Sequence, residues 1–455
     1  MERKTLCIRV VLNGNRSRAI KPGCGYMKGR LHGTSVDFGI SRDVSLGVAT
    51  AAHQVEGNNV NSDTWLFENV EDTAFMEPSG DAMDHYHRFR EDIALIASLG
   101  LTSYRLSVEW SRIEPARGLF SKAELAHYRE VLQCCRDNGL KTIVTLHHFT
   151  SPIWLLAQGG WESPETPSLF ARYCARVVEK MGDLMDYACT MNEPNLAWLL
   201  ADVGATSRNA SDRAEDPMFR SVAKALGVEP ASLAQFQFAA TERAFDVKLA
   251  AHKAAVDAVH AIRPDLPAGW TLVGSPFKAA PGGEERAAAA REEIRDRFYR
   301  ASAGDDFVGI QTYSRSWYGA DGPVDPPAGV ELTQRDEEFY PEAIEESLRA
   351  AWDQSGTPLF VTENGIASED DEQRERFLDR AVAGVGRCVR DGIPVLGYTC
   401  WSAFDNFEWV FGYGPKYGII SVDRETQRRT VKPSATHLGS IARCNGACVE
   451  IGDAR

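Results

Sequence analysis

Short aliphatic runs alternate with longer, charged stretches along most of this chain, and no other feature constrains its fold as strongly. Eight such runs are found, at 44–48, 103–108, 141–146, 186–190, 270–274, 306–310, 358–362 and 395–400. The stretches 85–99 and 123–137 between them carry apolar residues at helical spacing and are closed by glycine. Alternation of this kind is typical of repeated βα units with a parallel sheet. Eight units predict an α/β fold, a single (β/α)8 barrel with its active site at the C-terminal ends of the strands.

The segment 1–41 lacks this alternation. It is basic, punctuated by glycine and without helical or strand periodicity. We therefore predict a loosely ordered basic extension at 1–41, followed by one barrel domain at 42–455. A chain of 455 residues is within the usual size of barrels that carry insertions.

Charge and cysteine content indicate which partners and which compartment to expect. Fifty basic and sixty-four acidic side chains give a formal net charge of −14, which disfavours nucleic acid and anionic membranes as partners. No apolar run approaches the roughly 20 residues that cross a bilayer, and no secretion signal is complete. The ten cysteines lack zinc-type pairing, apart from the alternative of a disulfide or metal use of Cys444 and Cys448. We expect a cytoplasmic protein with reduced thiols and no bound metal.

Polar and aromatic side chains concentrate where the predicted strands end. They are Gln54, Glu56, Arg105, Glu109, His147, His148, Asn192, Glu193, Gln311, Tyr313, Glu363, Asn364, Trp401, Glu408 and Trp409. Because all strands of such a barrel end at one mouth, these side chains should converge there.

Two of these residues form a candidate catalytic pair. Glu193 follows the fourth predicted strand and Glu363 follows the seventh, and each precedes or follows an asparagine able to bind a sugar hydroxyl. Glycosidic bond cleavage needs two carboxyl groups, one to protonate the leaving oxygen and one to attack or to activate water. Arg105 and Tyr313 stand at neighbouring strand ends and would keep Glu363 ionised, whose charge would then raise the pKa of Glu193. A lone glutamate at a strand end is otherwise a solvated rim residue.

These residues lie within motifs that resemble glycoside hydrolase family 1, which comprises β-glucosidases, β-galactosidases and 6-phospho-β-glycosidases. The motifs occur in the family's order: LGVATAAHQVEG at 46–57, YRLSVEWSRI at 104–113, TLHHF at 145–149, GGW at 159–161, TMNEP at 190–194, VTENG at 361–365 and WSAFDNFEW at 401–409. The resemblance extends from about Ser45 to the C-terminus.

The resemblance implies a role for each site residue. Glu193 would be the acid/base and Glu363 the nucleophile, with Arg105 and Tyr313 supporting Glu363. Substrate-binding residues would be Asn192 at the sugar 2-hydroxyl and, around the other hydroxyls and the ring, Gln54, His148, Trp401, Glu408 and Trp409. Without the motifs, the tryptophans could be core aromatics, His148 a structural histidine and Gln54 a cap of the barrel end. We expect scaffold or rim positions for His147, Glu109, Glu56 and Trp161.

Some departures from the family pattern concern the substrate. Pro415 occupies the place of a phosphate-binding lysine, and Glu408 would repel a phosphate, so a non-phosphorylated sugar is expected. Gln311 stands where the family usually has asparagine, and its extra methylene could shift hydrogen bonds around the carboxyl pair. The segment 199–213 and the fifth-strand region 271–276 match the family weakly, which leaves the aglycone contacts open.

Together these observations predict a retaining, exo-acting β-glycosidase, a β-glucosidase of the EC 3.2.1.21 type. It would hydrolyse terminal, non-phosphorylated β-D-glucosyl residues, with fucosyl or galactosyl residues as alternatives, through a covalent glycosyl-enzyme intermediate. The partner is a small-molecule β-glycoside or oligosaccharide, and no cofactor is implied. Two other functions stay open, a transglycosidase that uses the same intermediate and a carbohydrate-binding protein with weak catalysis. The preferred epimer and the oligomeric state are not indicated.

Overall fold

The computed structural model describes residues 44–443, in which eight parallel strands close into a barrel. The strands are β1 (Ser45–Ala49), β2 (Ser103–Ser107), β3 (Lys141–Thr145), β4 (Tyr187–Asn192), β5 (Ala268–Val273), β6 (Val308–Thr312), β7 (Leu359–Asn364) and β8 (Val395–Trp401). Strand β1 pairs with both β2 and β8, which closes the barrel. The predicted fold class is confirmed. The predicted extension at 1–41 and the pair Cys444 and Cys448 lie outside the described residues.

Each predicted run overlaps one barrel strand, but several strands end later than predicted. Strands β4 and β7 each extend two residues further, and β6 is shifted by two. Asn192, Gln311, Glu363 and Asn364 therefore belong to strands rather than to the loops after them. The apolar pattern breaks before the hydrogen bonding does, because the last residues of these strands carry the polar groups of the barrel mouth.

A helix follows each strand and packs outside the barrel. The helices are α1 (His85–Ser98), α2 (Lys122–Asp137), α3 (Thr166–Met181), α4 (Glu242–Ile262), α5 (Glu284–Arg291, continued by a π-turn at Glu292–Asp296 and by Arg297–Ala301), α6 (Ala343–Ser355), α7 (Asp371–Arg390) and α8 (Pro433–Arg443). The predicted helices 85–99 and 123–137 are confirmed to within one residue. In α2, the Ser121 hydroxyl accepts a hydrogen bond from Glu124 N, as expected for an N-cap.

One hydrophobic core joins the outer face of the barrel strands to the helices. The aliphatic side chains of the strands are almost completely buried, for example Val48, Val144 and Ile310. Space inside the barrel is limited near the mouth: a Cβ atom at Gly309 would lie 2.6 Å from Thr271 Cγ2 and 2.7 Å from Thr362 Oγ1. Glycine at this position lets β6 approach β5 and β7 where the site begins.

Shorter elements lie in the connections between the barrel strands and the helices, most of them in the loops that follow the strands. The short helices are Ala52–Val55, Asp63–Asn69, Trp110–Ile113, Ile153–Leu156, Leu196–Asp202, Ala210–Arg213 and Pro217–Leu226, with 3-10 turns at Gly160–Glu162, Gly182–Leu184, Pro230–Ser232 and Trp409–Phe411. The short strands are Phe277–Ala279, Ser316–Gly319, Gly322–Val324, Ile420–Val422 and Arg429–Val431. Within residues 44–443, no helix combines the length and the apolar character needed to span a membrane.

Candidate active site

Glu363 lies near the end of β7 and is held by two hydrogen-bond donors, Arg105 in the middle of β2 and Tyr313 directly after β6. Arg105 Nη1 donates to Glu363 Oε1 at 2.5 Å, and the Tyr313 hydroxyl donates to Glu363 Oε2. Arg105 itself is completely buried. A buried guanidinium beside a carboxylate stabilises the charged form, so these contacts favour an ionised Glu363.

Glu193 lies one residue beyond β4 and is held by its backbone instead. Its φ of 45° is in the left-handed region, which is uncommon for a residue with a side chain. Glu193 N donates to Thr271 O at 2.8 Å, which fixes the turn against β5. Among residues 44–443 no side chain donates a hydrogen bond to the Glu193 carboxyl group, so nothing there stabilises its charged form by direct contact.

The pKa of Glu193 is raised well above its ordinary value by burial and, next, by the charge of Glu363, while Arg105 lowers it. Burial also raises the pKa of Glu363, but Arg105 and the hydrogen bond from Tyr313 act against that shift. The two carboxyl groups therefore interact, and Glu193 is the one that keeps its proton more strongly. This is the order expected from the sequence.

The Asn192 side chain lies between these groups and is held through one oxygen. Its Oδ1 accepts hydrogen bonds from Arg105 Nη2 at 2.6 Å, Gln311 Nε2 at 2.8 Å and Thr271 Oγ1 at 2.9 Å. Its Nδ2 is buried and has no partner in the described residues. A buried amide donor without a partner carries a free-energy cost of about 1–3 kcal/mol, which a ligand hydroxyl would remove.

Gln311 supports Asn192 rather than displacing it. Besides the bond to Asn192, its amide lies 3.0 Å from Thr271 Oγ1 and 3.3 Å from Thr362 Oγ1. The longer side chain thus serves to hold the Asn192 oxygen, together with Arg105.

Gln54 presents a second buried amide with a free atom. Its Nε2 donates to Phe407 O at 2.6 Å and to Asn406 Oδ1 at 3.1 Å, while its Oε1 is buried without a partner in the described chain. Gln54 therefore ties the barrel end to the segment before Glu408, and it also leaves an acceptor for a ligand.

Three aromatic side chains stand parallel to one another at the mouth. The His148 ring lies 6.0 Å from Trp401 at an interplanar angle of 14°, and 6.2 Å from Trp409 at 8°. Burial and the charge of Arg105 lower the pKa of His148 well below its ordinary value, so its ring is neutral and has a donor and an acceptor nitrogen. The Nδ1 atom has no partner in residues 44–443.

Glu408 contributes a third carboxyl group beside this aromatic group. Trp401 Nε1 donates to Glu408 Oε1 at 3.3 Å. Burial raises the pKa of Glu408 well above its ordinary value, and Arg335 acts against that shift. The ten site residues predicted from the sequence thus lie at the C-terminal half of the barrel or in the loops after its strands: Gln54, Arg105, His148, Asn192, Glu193, Tyr313, Glu363, Trp401, Glu408 and Trp409.

The residues expected as scaffold or rim are buried structural groups. Glu109 accepts hydrogen bonds from Asn59 and Thr150, and the His147 and Trp161 rings both bond Ser151 Oγ. The remaining one, Glu56, pairs with Arg112 Nε at 3.0 Å.

Sequence reasoning missed three residues near the site. Thr271 on β5 bonds Asn192, and it could have been found because alternate residues of a barrel strand face the interior. Arg335 and Glu337 come from the loop before α6, where no periodicity or motif marks them. Burial raises the pKa of Glu337, although 37% of its side chain remains accessible, as expected for a group inside an open cleft.

The weakly matched segment 199–213 contains the end of the helix Leu196–Asp202 and the short helix Ala210–Arg213, and the helix Pro217–Leu226 follows it. Helix Pro217–Leu226 buries Met218, Phe219 and Val222 in a second hydrophobic cluster that also contains Phe407, the residue before Glu408. Helix Pro217–Leu226, together with Leu200 of the weakly matched segment, therefore supports the wall that carries Glu408 and Trp409.

Two interacting, buried carboxyl groups lie beside two amide groups, each of which has one atom without a partner in residues 44–443. This arrangement has the chemistry needed to cleave a glycosidic bond, and it defines the protein as a glycoside hydrolase. The residues 39–298 and 306–447 match the model of glycosyl hydrolase family 1, and the chain belongs to that family.

Similar proteins are β-glycosidases. The solved structure of the β-glycosidase BGL167 is 57% identical with a TM-score of 0.89, covering 92% of this chain and 100% of that one. The structure of a β-glucosidase, 1317, is 41% identical with a TM-score of 0.83, covering 88% of this chain and 98% of that one. The β-glucosidase of Agrobacterium sp. is 31% identical over 88% of this chain and 94% of its own length. This chain is accordingly a β-glycosidase.

Proposed function

We propose that this protein is a retaining, exo-acting β-glycosidase that removes terminal, non-phosphorylated β-D-glucosyl residues from small β-glycosides or oligosaccharides. The observation that carries the proposal is that the two carboxyl groups differ in their hydrogen-bond donors and in their pKa. Glu363 receives hydrogen bonds from Arg105 and Tyr313, whereas Glu193 receives none from side chains of the described chain and has the more strongly favoured proton. That division matches a nucleophile and a general acid.

In the first step the ionised Glu363 attacks the anomeric carbon while Glu193 gives its proton to the glycosidic oxygen. The bond between the anomeric carbon and that oxygen breaks, the aglycone leaves as an alcohol, and the sugar is bound to Glu363 as an ester. Because the ester carries no negative charge, the repulsion that raised the pKa of Glu193 disappears. Glu193 then accepts a proton from water, which attacks the anomeric carbon and releases the sugar in the β configuration. This chemistry needs the two carboxyl groups about 5 Å apart.

Glucose is the sugar we favour, because two of the similar proteins are named β-glucosidases. The free atoms of Asn192, Gln54 and His148 offer both donors and acceptors to its hydroxyl groups. A phosphate is disfavoured near Glu408, and Lys416 Nζ already donates to Tyr413 O.

A 2-deoxy-2-fluoro-β-glucoside with a dinitrophenolate leaving group tests the nucleophile. Its fluorine slows the second step more than the first, so the ester should accumulate, and peptide mass spectrometry should find the sugar on Glu363. The matched control is Glu337→Gln, which removes another cleft carboxyl group and should be labelled to the same extent. A label on a different residue would overturn the assignment of Glu363.

The first sugar product of an ordinary nitrophenyl glucoside, observed by NMR, should be the β anomer. Release of the α anomer would refute the retaining mechanism. In a panel of nitrophenyl glucoside, galactoside, fucoside, mannoside and xyloside, the glucoside should give the highest kcat/KM. A higher kcat/KM with another sugar would show that glucose is not the preferred substrate sugar. Sugar transfer to an added alcohol in preference to water would identify a transglycosidase, and saturable binding without turnover a carbohydrate-binding protein.

A further inference from the structure

A fully buried lysine lies directly behind the turn that carries Glu193. Lys248 is on α4 and has an exposed fraction of 0%. Its Nζ donates to the carbonyl oxygens of Pro194 at 3.0 Å, Phe236 at 2.9 Å and Ala239 at 3.0 Å. An ammonium group has three N–H donors, so all three are satisfied by backbone.

Lys248 makes these bonds without a counter-charge in contact. Within residues 44–443 no carboxylate forms an ion pair with it, and the rings of Trp198 and Phe236 lie 4.9 Å and 4.6 Å from Nζ instead. Burial and the charge of Arg213 lower its pKa well below the ordinary value. Because burial disfavours the charged form, a lysine at this position indicates that its hydrogen bonds have a use that a hydrocarbon side chain would not provide.

The Pro194 carbonyl is the link to Glu193. The turn is held on one side by Glu193 N, which donates to a β5 carbonyl at 2.8 Å, and on the other by Asn195 Nδ2, which donates to another β5 carbonyl at 2.9 Å. Proline between them has no N–H, so its carbonyl is the only backbone group by which the middle of the turn can be held. Lys248 binds that group, next to the residue whose φ is 45°.

The other two acceptors of Lys248, the carbonyls of Phe236 and Ala239, belong to the segment that packs against His147 and Phe149. The Phe236 ring lies 4.6 Å from the ring of His147, and Gln235 Nε2 reaches Phe149 O at 3.5 Å. One side chain thus connects the turn after β4 with the segment that packs against the end of β3.

We propose that Lys248 is a positioning residue for proton transfer by Glu193: its bond to Pro194 O fixes the turn, and with it the direction in which the Glu193 carboxyl group meets the leaving oxygen. The inference rests on the proposed acid/base role of Glu193. Lys248 forms no hydrogen bond with Glu363, so we expect it to influence catalysis only through the position of Glu193.

The dependence of kcat/KM on the leaving group separates this role from a structural one. A dinitrophenyl glucoside leaves without acid assistance, whereas an alkyl glucoside or cellobiose needs it. The quantity to compare is the ratio of kcat/KM for cellobiose to kcat/KM for the dinitrophenyl glucoside. We expect Lys248→Met to reduce this ratio by about 10-fold, because a displaced general acid loses part of its contribution to the rate. The control Val259→Ala removes buried volume from the same helix, away from the turn, and should leave the ratio unchanged.

Two further variants complete the test. Lys248→Gln retains two N–H donors and should restore part of the ratio, and it replaces Lys248→Met if that variant does not fold. Glu193→Ala should reduce the same ratio by about 10²–10⁴-fold. An unchanged ratio in Glu193→Ala would overturn the proposed function itself. A reduced ratio in Glu193→Ala with equal losses for both substrates in the Lys248 variants would overturn only the positioning role.

Discussion

Glu363 and Glu193 end two strands of the same barrel, yet the chain holds them by different means. Glu363 is part of β7, and its two oxygens accept hydrogen bonds from Arg105 and Tyr313. Glu193 lies directly after β4 and has a left-handed backbone conformation. Hydrogen bonds hold its backbone and its neighbours, but no side chain in the described residues donates to its carboxyl group.

The difference corresponds to what each group has to do. A nucleophile must be ionised and fixed in one direction, which buried donors achieve. An acid that becomes a base within one reaction cycle must lose and regain a proton, and strong hydrogen bonds to its charged form would oppose this. Because the backbone of Glu193 is fixed and its carboxyl group has no donor side chain, the group can change its charge without moving.

Replacing each glutamate by alanine in turn would test this comparison. The largest effect on activity is expected at Glu363. We expect Glu363→Ala to lower kcat for nitrophenyl glucoside by more than about 10⁴-fold, since the covalent step is lost. Added azide can occupy the space of the missing carboxylate and attack the anomeric carbon from the same side. The product should then be the α-glucosyl azide, identified by NMR. A β-glucosyl azide from this variant would contradict the role of Glu363.

The matching change at Glu193 should have a smaller effect that depends on the substrate. In Glu193→Ala, kcat/KM for cellobiose should fall by about 10²–10⁴-fold, while that for a dinitrophenyl glucoside should stay near its original value. Azide should here intercept the ester on Glu363 and give the β-glucosyl azide. Equal losses for both substrates would show that Glu193 does not protonate the leaving group.

Tyr313→Phe would weaken the contrast between the two groups by removing one donor from Glu363. Because the hydrogen bond from Tyr313 stabilises the charged form, its loss should raise the pKa of Glu363 further. A carboxylate needed in its ionised form then becomes available only at higher pH, so the acid limb of kcat/KM should move up by about one pH unit. The pH profile of kcat/KM for nitrophenyl glucoside measures this shift. A change in the basic limb alone would instead connect Tyr313 with Glu193.

The sequence indicated the nucleophile side of the site more completely than the acid/base side. All eight strands could be located, because strands covered by helices are continuous apolar runs, and the polar residues that end them form recognisable motifs. The turn around Glu193 depends instead on backbone carbonyl groups, which any residue supplies. Nothing in the sequence around Lys248 shows that its ammonium meets Pro194 O, or that helix Pro217–Leu226 supports the opposite wall.

Gln311→Asn is expected to have the smallest effect, and it tests how firmly the Asn192 oxygen, which lies between Arg105 and the β5 residue Thr271, must be held. Asn192 Oδ1 has three donors, and the shorter side chain would remove the one at 2.8 Å from Gln311 while Arg105 and Thr271 remain. The loss of one net hydrogen bond, about 1 kcal/mol, corresponds to a decrease in kcat/KM of about five-fold. Gln311 also lowers the pKa of Glu363, but it comes after Arg105 and Tyr313 among the groups that do so, so the acid limb should move less than in Tyr313→Phe. A decrease in kcat/KM as large as that of Tyr313→Phe, with an equal shift of the acid limb, would mean that Gln311 acts mainly on Glu363 and not through Asn192.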